Sequence, residues 1–91
     1  MAQEPKTVVV FRTWRGRWKT VLALFPELDA GNGYCDSYEH VGQHGGADYA
    51  GCIARSHPAG PEEYRSLKLE LESIGYNLDV RQRYHHRRKH D

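Results

Sequence analysis

Two apolar segments near the N-terminus constrain the fold most, because each carries apolar side chains at consecutive positions. "TVVVFRTW" covers residues 7–14 and "RWKTVLALF" covers residues 17–25. Both are rich in β-branched and aromatic residues, and Gly16 lies between them, which predicts a β-hairpin with Trp14 facing Trp18. One face of this hairpin then carries Val8, Val10, Leu22 and Leu24, and the other carries Val9, Phe11, Val21, Ala23 and Phe25. Because both faces are apolar, we expect a sheet that is covered on more than one side.

Pro26 is predicted to end the second strand, because proline donates no hydrogen bond to a ladder. A long connection from Glu27 to about Asp48 follows, and connections of this length are usually functional or mobile. Within it, a helix-capping pattern predicts two helical turns from about Ser37 to His44, and the glycines of "AGNGY" and "HGGADY" are interpreted as turn positions. The segment "YAGCIARS" (residues 49–56) is predicted as a third strand.

The segment "GPEEYRSLKLELESIGY" (residues 60–76) gives the clearest helix signal. Proline in the first turn, acidic residues at the start and Gly75 at the end predict a helix from roughly Pro61 to Ile74. Its buried stripe is expected to contain Tyr64, Leu67, Leu71 and Ile74. The alternating "YNLDVRQRY" that follows predicts a final strand, joined through a right-handed crossover. The predicted fold is therefore α+β, in the order β-β-loop-β-α-β, with one main helix on one face of a small mixed sheet of about four strands.

The chain has 91 residues, which predicts a single domain with an N-terminal tail at 1–6, a folded core at 7–84 and a basic, histidine-rich tail at 85–91. The formal net charge is +1, so no strong overall field attracts nucleic acid or an acidic membrane. No apolar run approaches the length of a membrane helix, and the start lacks a secretory signal, so we expect a cytoplasmic protein without a membrane partner. The two cysteines do not form a disulfide framework, and no disulfide-linked partner is expected. The oligomeric state is left open.

The stretch "YCDSYEHVGQHGGADY" (residues 34–49) concentrates polar and metal-ligating side chains. On a helix His40 and His44 would project from one face, and Cys35 and Cys52 complete a ligand set suited to zinc. The segment "HVGQH" lacks the glutamate of a zinc-protease motif and paired CxxC motifs are missing, so the pattern favours a polar loop without metal, and zinc is the alternative. A Cys/His nucleophilic pair is a further possibility, with Cys35 at the start of the expected helix.

Basic and aromatic residues alternate in "FRTWRGRWK" (residues 11–19) at the end of the predicted hairpin. Trp14 and Trp18 are suited to stacking on bases, while cationic side chains contact phosphates, a combination used to bind single strands. The expected phosphate contacts are Arg12, Arg15, Arg17 and Lys19. The C-terminal "RQRYHHRRKH" either extends this positive surface or forms a solvated tail.

Three segments together, "ALFP", "SYEHVGQH" and "PEEYRSLKLELESIGY", follow the pattern ALFP, SYxHxGQH, PEEY and ELExIGY. In these segments the chain resembles a group of small uncharacterised proteins of bacteria and their phages. The resemblance implies that the "SYEHVGQH" loop is the working surface of an accessory or mobile-element protein. It transfers no catalytic residue. The ligand-binding residues expected in this loop are Ser37, Tyr38, His40, Gln43 and His44.

Two classes of function follow from these patterns. The first is a non-enzymatic binding or regulatory protein without a cofactor, whose partner is a protein or a nucleic acid. The second is a metal-dependent or Cys/His enzyme built on the residues of the "YCDSYEHVGQH" loop. If no metal binds, Tyr34, Tyr38, Val41 and Tyr49 are predicted to hold the connection against the sheet.

Overall fold

The computed structural model describes residues 6–16, 20–39 and 43–84, with the backbone alone at 43 and 44. These residues form one mixed sheet and two helices, which confirms the predicted α+β class. The sheet has six strands, more than the four or so predicted. In chain order the elements are β1 Thr7–Trp14, β2 Val21–Gly31, β3 Tyr34–Glu39, β4 Gln43–Ala47, α1 Tyr49–Ala54, β5 Ser56–Pro58, α2 Pro61–Ser73 and β6 Leu78–Arg81.

The sheet has the order β4-β3-β2-β1, and two short strands share the other edge of β1. Strand β5 pairs antiparallel with residues 12–14 of β1, and β6 pairs parallel with residues 7–10. Because β5 and β6 run in opposite directions along this one edge, α2 does not join two neighbouring parallel strands. The predicted right-handed crossover is therefore wrong, although the mixed sheet is confirmed.

The β1–β2 hairpin pairs Val10 with Leu24, and its last contact is the Trp14 N–H donating to the Thr20 carbonyl at 3.0 Å. Trp14 thus lies opposite Thr20, where Trp18 was predicted, and Trp18 lies outside the described residues. The register differs from the prediction by two residues. Since side chains alternate with a period of two, this difference leaves each residue on its predicted face.

Both faces of this hairpin are buried, as their apolar patterns predict. On one face α2 supplies Leu67 and Leu71, which pack on strand residues Val9, Phe11, Ala23, Phe25 and Tyr38. On the other face α1 supplies Cys52, which packs on strand residues Val10, Leu22, Leu24, Cys35 and Ala47. The main helix α2 lies on one face, as expected. The short helix α1 covers the second apolar face and shields it from water.

The segment "YAGCIARS" forms α1 followed by the start of β5, so its prediction as a strand is wrong. The Cys52 N–H donates to the Asp48 carbonyl at 2.8 Å, which is the bond of a helical turn. Tyr49, Cys52 and Ile53 lie at helical spacing and all belong to the second core cluster. The helix therefore buries one short apolar stripe that a strand would divide between two faces.

Strand β2 continues past Pro26, so the prediction that it ends there is also wrong. Its pairing with β3 moves from Phe25 opposite Asp36 to Asp29 opposite Cys35, and the residues between form a bulge. Pro26 lies in this bulge, where a ladder hydrogen bond is interrupted and a missing N–H costs nothing.

The predicted helix from Ser37 to His44 is replaced by the hairpin of β3 and β4. Strand β2 first turns into β3 through Asn32 and Gly33, which have φ angles of 55° and 81° as a two-residue hairpin turn requires. Ser37 then pairs with Gly45, and Asp36 pairs with Gly46. Because these two glycines lie inside β4 without positive φ, the turn interpretation holds for "AGNGY" and is wrong for "HGGADY".

Helix α2 matches its prediction closely at both ends. The Glu63 carboxylate accepts a hydrogen bond from the Gly60 N–H at 2.8 Å, and Gly75 stops the helix with a φ of 113°. Tyr64 stacks on Phe11 with ring centroids 4.4 Å apart. Ile74 departs from the predicted stripe, because it caps the helix and is 54% exposed. Among the described residues, no helix is long and apolar enough to cross a membrane.

Candidate functional site

Five residues of the "SYEHVGQH" segment are predicted to bind a ligand, and the side chains of two, Ser37 and Tyr38, are described. Both form contacts that stabilise the fold. Ser37 is buried and its hydroxyl donates to the Gly45 carbonyl at 2.9 Å, which joins β3 to β4. Tyr38 is 2% exposed and its hydroxyl donates to the Glu70 carboxylate, which joins the sheet to α2. Both side chains therefore form hydrogen bonds within the protein.

The other residues predicted in this segment are described less fully. His40 and Val41 lie outside the described residues, and only the backbones of Gln43 and His44 are placed, opposite Glu39 and Tyr38. Of the predicted anchors, Tyr38 is confirmed, since it belongs to the core. Tyr34 is 49% exposed and does not hold the segment against the sheet.

The predicted metal ligands are placed only in part. Cys35 on β3 and Cys52 on α1 are buried free thiols in the same core cluster. Within the ranges that the structure describes, no group of three or more metal-ligating side chains comes together. Because the imidazoles of His40 and His44 fall outside those ranges, zinc binding by the four residues stays a prediction.

Both thiols are poorly suited to nucleophilic chemistry. Burial raises the pKa of Cys35 from 9.0 to about 11, and the nearby Cys52 adds to the effect. Burial also raises the pKa of Cys52, which Arg55 partly opposes. A nucleophilic cysteine needs its pKa lowered, because the thiolate is the reactive form. The environment of these two thiols therefore gives the Cys/His enzyme hypothesis no support.

The raised Cys35 pKa predicts a loss of stability at alkaline pH. Between about pH 9 and pH 11 the unfolded chain releases this proton while the folded protein retains it, so the free energy of unfolding falls as pH rises. The expected contribution is up to about 2 kcal/mol. Urea denaturation at pH 8 and at the upper end of this window measures it in wild type and in Cys35→Ala. We expect the wild type to lose more stability, and equal losses would contradict the prediction.

The basic end of the molecule lies where β1 leaves the sheet beside the end of α1. The Arg15 N–H donates to the Arg55 carbonyl at 3.2 Å, so the two residues are neighbours. Both are exposed, and neither forms an ion pair with another described residue. Trp14 is half-buried and its indole N–H donates to the Glu39 carboxylate at 2.9 Å. The remaining residues of the predicted nucleic-acid surface, Arg17, Trp18 and Lys19, lie outside the described residues.

Arg12 is predicted to contact phosphate at the surface, but its side chain is only 7% exposed. Its Nε donates to the Ser56 hydroxyl at 2.9 Å, and its Nη2 donates to the carbonyls of Ile53 and Ser56 at 3.0 and 2.7 Å. These bonds tie β1 to the end of α1 and to β5. Burial lowers the pKa of the guanidinium below its ordinary value, which Tyr49 opposes and Arg15 reinforces. The guanidinium remains charged at neutral pH.

A cleft opens beside α1, where the chain leaves β6 and crosses towards the helix. Its volume is about 250 Å³ and its lining consists of Arg12, Tyr49, Ile53, Gln82, Arg83 and Tyr84. Tyr49 and Tyr84 meet edge to face, with ring centroids 6.4 Å apart and an interplanar angle of 82°. The Tyr84 hydroxyl donates to the Glu27 carboxylate at 3.1 Å, which holds the C-terminal end of the described chain over β2.

The cleft is the feature that sequence reasoning missed. Its residues come from β1, α1 and the segment after β6, and no local spacing connects them. The available signal is the position of Arg12 on the same hairpin face as Val8 and Val10. A charged side chain on such an apolar face is rarely buried unless it has a polar or charged partner.

Comparison of the chain with protein-family models, with curated proteins and with solved structures finds no match.

Proposed function

We propose that the protein is a small non-enzymatic binding module whose basic end contacts single-stranded nucleic acid. The observation that carries this proposal is the adjacent pair of exposed arginines, Arg15 and Arg55, without an ion-pair partner among the described residues. The Arg15 Nε donates to the Ser56 carbonyl at 3.3 Å, but this acceptor is neutral, so both positive charges can exchange their counterions for phosphate groups.

Trp14 supports the choice of a single strand over a duplex. Its indole is half-buried against the second core cluster and fixed by the bond to Glu39, so the exposed part of the ring has a defined orientation. The indole lies at the same end of β1 as Arg15, and a ring fixed there offers a base a stacking surface. Duplex DNA stacks its bases internally and cannot use such a surface.

Weak and local binding is expected, because the net charge of the whole chain is only +1. Exposed charges interact over a Debye length of about 8 Å at physiological salt, so most acidic residues of α2 contribute little. Glu63 is the exception, because its carboxylate accepts from the Thr13 hydroxyl at 3.3 Å and opposes phosphate binding at this end. The role of Ser37 and Tyr38 in this proposal is to support the hairpin that carries Glu39, and through Glu39 the orientation of Trp14.

Charge removal at the basic end tests the proposal. Arg15→Gln and Arg55→Gln are each expected to weaken binding of a labelled single-stranded oligonucleotide about 2- to 5-fold at low salt, since exposed ion pairs contribute up to about 1 kcal/mol. Fluorescence anisotropy measures the affinity of each variant.

Arg65→Gln is the matched control, because Arg65 is an exposed arginine on α2, which covers the opposite face of the sheet. We expect its affinity to equal that of the wild type. Equal losses in all three variants would show a non-specific charge effect. Wild-type protein that binds no oligonucleotide at low salt would end the proposal.

A further inference from the structure

We propose that the cleft beside α1 is a binding site for a compact oxyanion, a carboxylate or a phosphate monoester attached to a flat apolar body, with Arg12 at its base. This site goes beyond the nucleic-acid surface, and neither proposal depends on the other.

The hydrogen bonds of Arg12 leave one side of its guanidinium unused. Nε and Nη2 supply all three bonds to Ser56 and Ile53, and Nη1 has no bond to any described residue. No described side chain leaves a fully buried polar atom without a partner. Nη1 therefore keeps some contact with solvent, and Arg12 is one of the residues that line the cleft.

Arg12 also lacks a compensating negative charge. No carboxylate of the described residues forms an ion pair with it, and its acceptors are a hydroxyl and two neutral carbonyls. Taking a charge out of water is costly unless an opposite charge comes close. An oxyanion that accepts from Nη1 would supply this charge, and Arg83 on the lining adds a second cation. Glu27 is the nearby carboxylate, and it accepts from the Tyr84 hydroxyl outside the lining.

The walls of the cleft define the rest of the ligand. Tyr49, Ile53 and Tyr84 present aromatic and aliphatic surface, whereas Gln82 adds one neutral polar group. The volume of about 250 Å³ lies just below the range of roughly 300 to 1,000 Å³ that is typical for drug-sized ligands. A compact ligand with one charged end and one flat apolar end fits these walls.

Titration with three small probes, followed by amide and arginine Nε–H signals in NMR spectra, tests the site. We expect benzoate or phenyl phosphate to shift the Arg12 Nε–H and the amides of Ile53 and Gln82, and to saturate. Benzyl alcohol, which has the same apolar body without the charge, is expected to bind at least about fivefold more weakly. The better of the two anions identifies the oxyanion as carboxylate or phosphate.

Charge reversal on the lining completes the test and leaves the structural bonds of Arg12 intact. Arg83→Glu is expected to weaken anion binding about fivefold through screened Coulomb repulsion, and Arg65→Glu is expected to leave it unchanged. Anion shifts that are absent, that benzyl alcohol reproduces equally, or that survive Arg83→Glu without loss would each overturn the proposal. Oligonucleotide binding is measured separately, so failure of either site is recognised on its own.

Discussion

Phe25→Ala is expected to lower the free energy of unfolding by about 3–5 kcal/mol. The side chain is fully buried, at 0% exposure, and stacks on Tyr76 with ring centroids 5.1 Å apart. It lies in the cluster that joins β2 to α2, so the cavity would be closed on all sides. Domains of this length are stable by about 5–14 kcal/mol, so the substitution removes a large share of the total. Urea denaturation followed by circular dichroism measures it.

Leu69→Ala is the matched control for this prediction. Leu69 lies on α2 but is 55% exposed, so its removal creates no cavity and is expected to change stability by less than about 0.5 kcal/mol. If the free energy of unfolding of Phe25→Ala lies within about 1 kcal/mol of the wild-type value, the sheet face under α2 is not packed as described.

Arg12→Ala is expected to destabilise the fold by about 2–4 kcal/mol, although two large effects oppose each other. The three bonds from the guanidinium hold β5 and the end of α1 against β1, and bonds from a charged donor contribute about 1.5–3 kcal/mol each. Against them stands the desolvation of the charge, which costs several kcal/mol. The bonds outweigh this cost here because one edge of the guanidinium still reaches water. Their loss also takes the side-chain donor from the Ile53 carbonyl and leaves the Ser56 carbonyl with the longer bond from the Arg15 Nε at 3.3 Å.

Arg15→Ala provides the comparison, since Arg15 is the neighbouring arginine and is exposed. We expect a loss below about 0.5 kcal/mol for it. An Arg12→Ala protein as stable as the wild type would mean that the buried charge costs as much as its bonds contribute.

The sequence predicts best those elements whose burial is set by local periodicity. The two faces of the β1–β2 hairpin are correct because apolar residues occupy consecutive positions on both strands. Helix α2 is correct because its leucine spacing, Pro61 and Gly75 all indicate the same boundaries. Each of these signals acts within a few residues, so it can be interpreted without the rest of the fold.

Elements stabilised by distant contacts are predicted poorly. The spacing of Cys35 and Tyr38 is compatible with a helix or a strand. The segment forms a strand because it can pair with the edge of β2, and because Cys35 and Tyr38 then enter the two separate core clusters. Segment α1 is short and has small residues, so its conformation depends on the second apolar face that it covers. A helix of six residues has little stability of its own, and tertiary packing decides it.

The candidate sites show the same limit. The Arg12 side chain is buried through bonds to residues 41 and 44 positions away, which no local pattern indicates. The basic and aromatic pattern around Arg12 therefore predicts a surface phosphate contact instead. Arg15 is exposed directly after β1, and its contact with phosphate stays a prediction.

The salt dependence of single-strand binding tests the proposed function most directly. The account predicts that the logarithm of the association constant falls linearly with the logarithm of the salt concentration. It also predicts that Arg15→Gln lowers the slope by about 0.7, as the loss of one phosphate contact requires, and that Arg65→Gln leaves the slope unchanged. Binding that is absent at low salt, or a slope that Arg15→Gln and Arg55→Gln both leave intact, would contradict it.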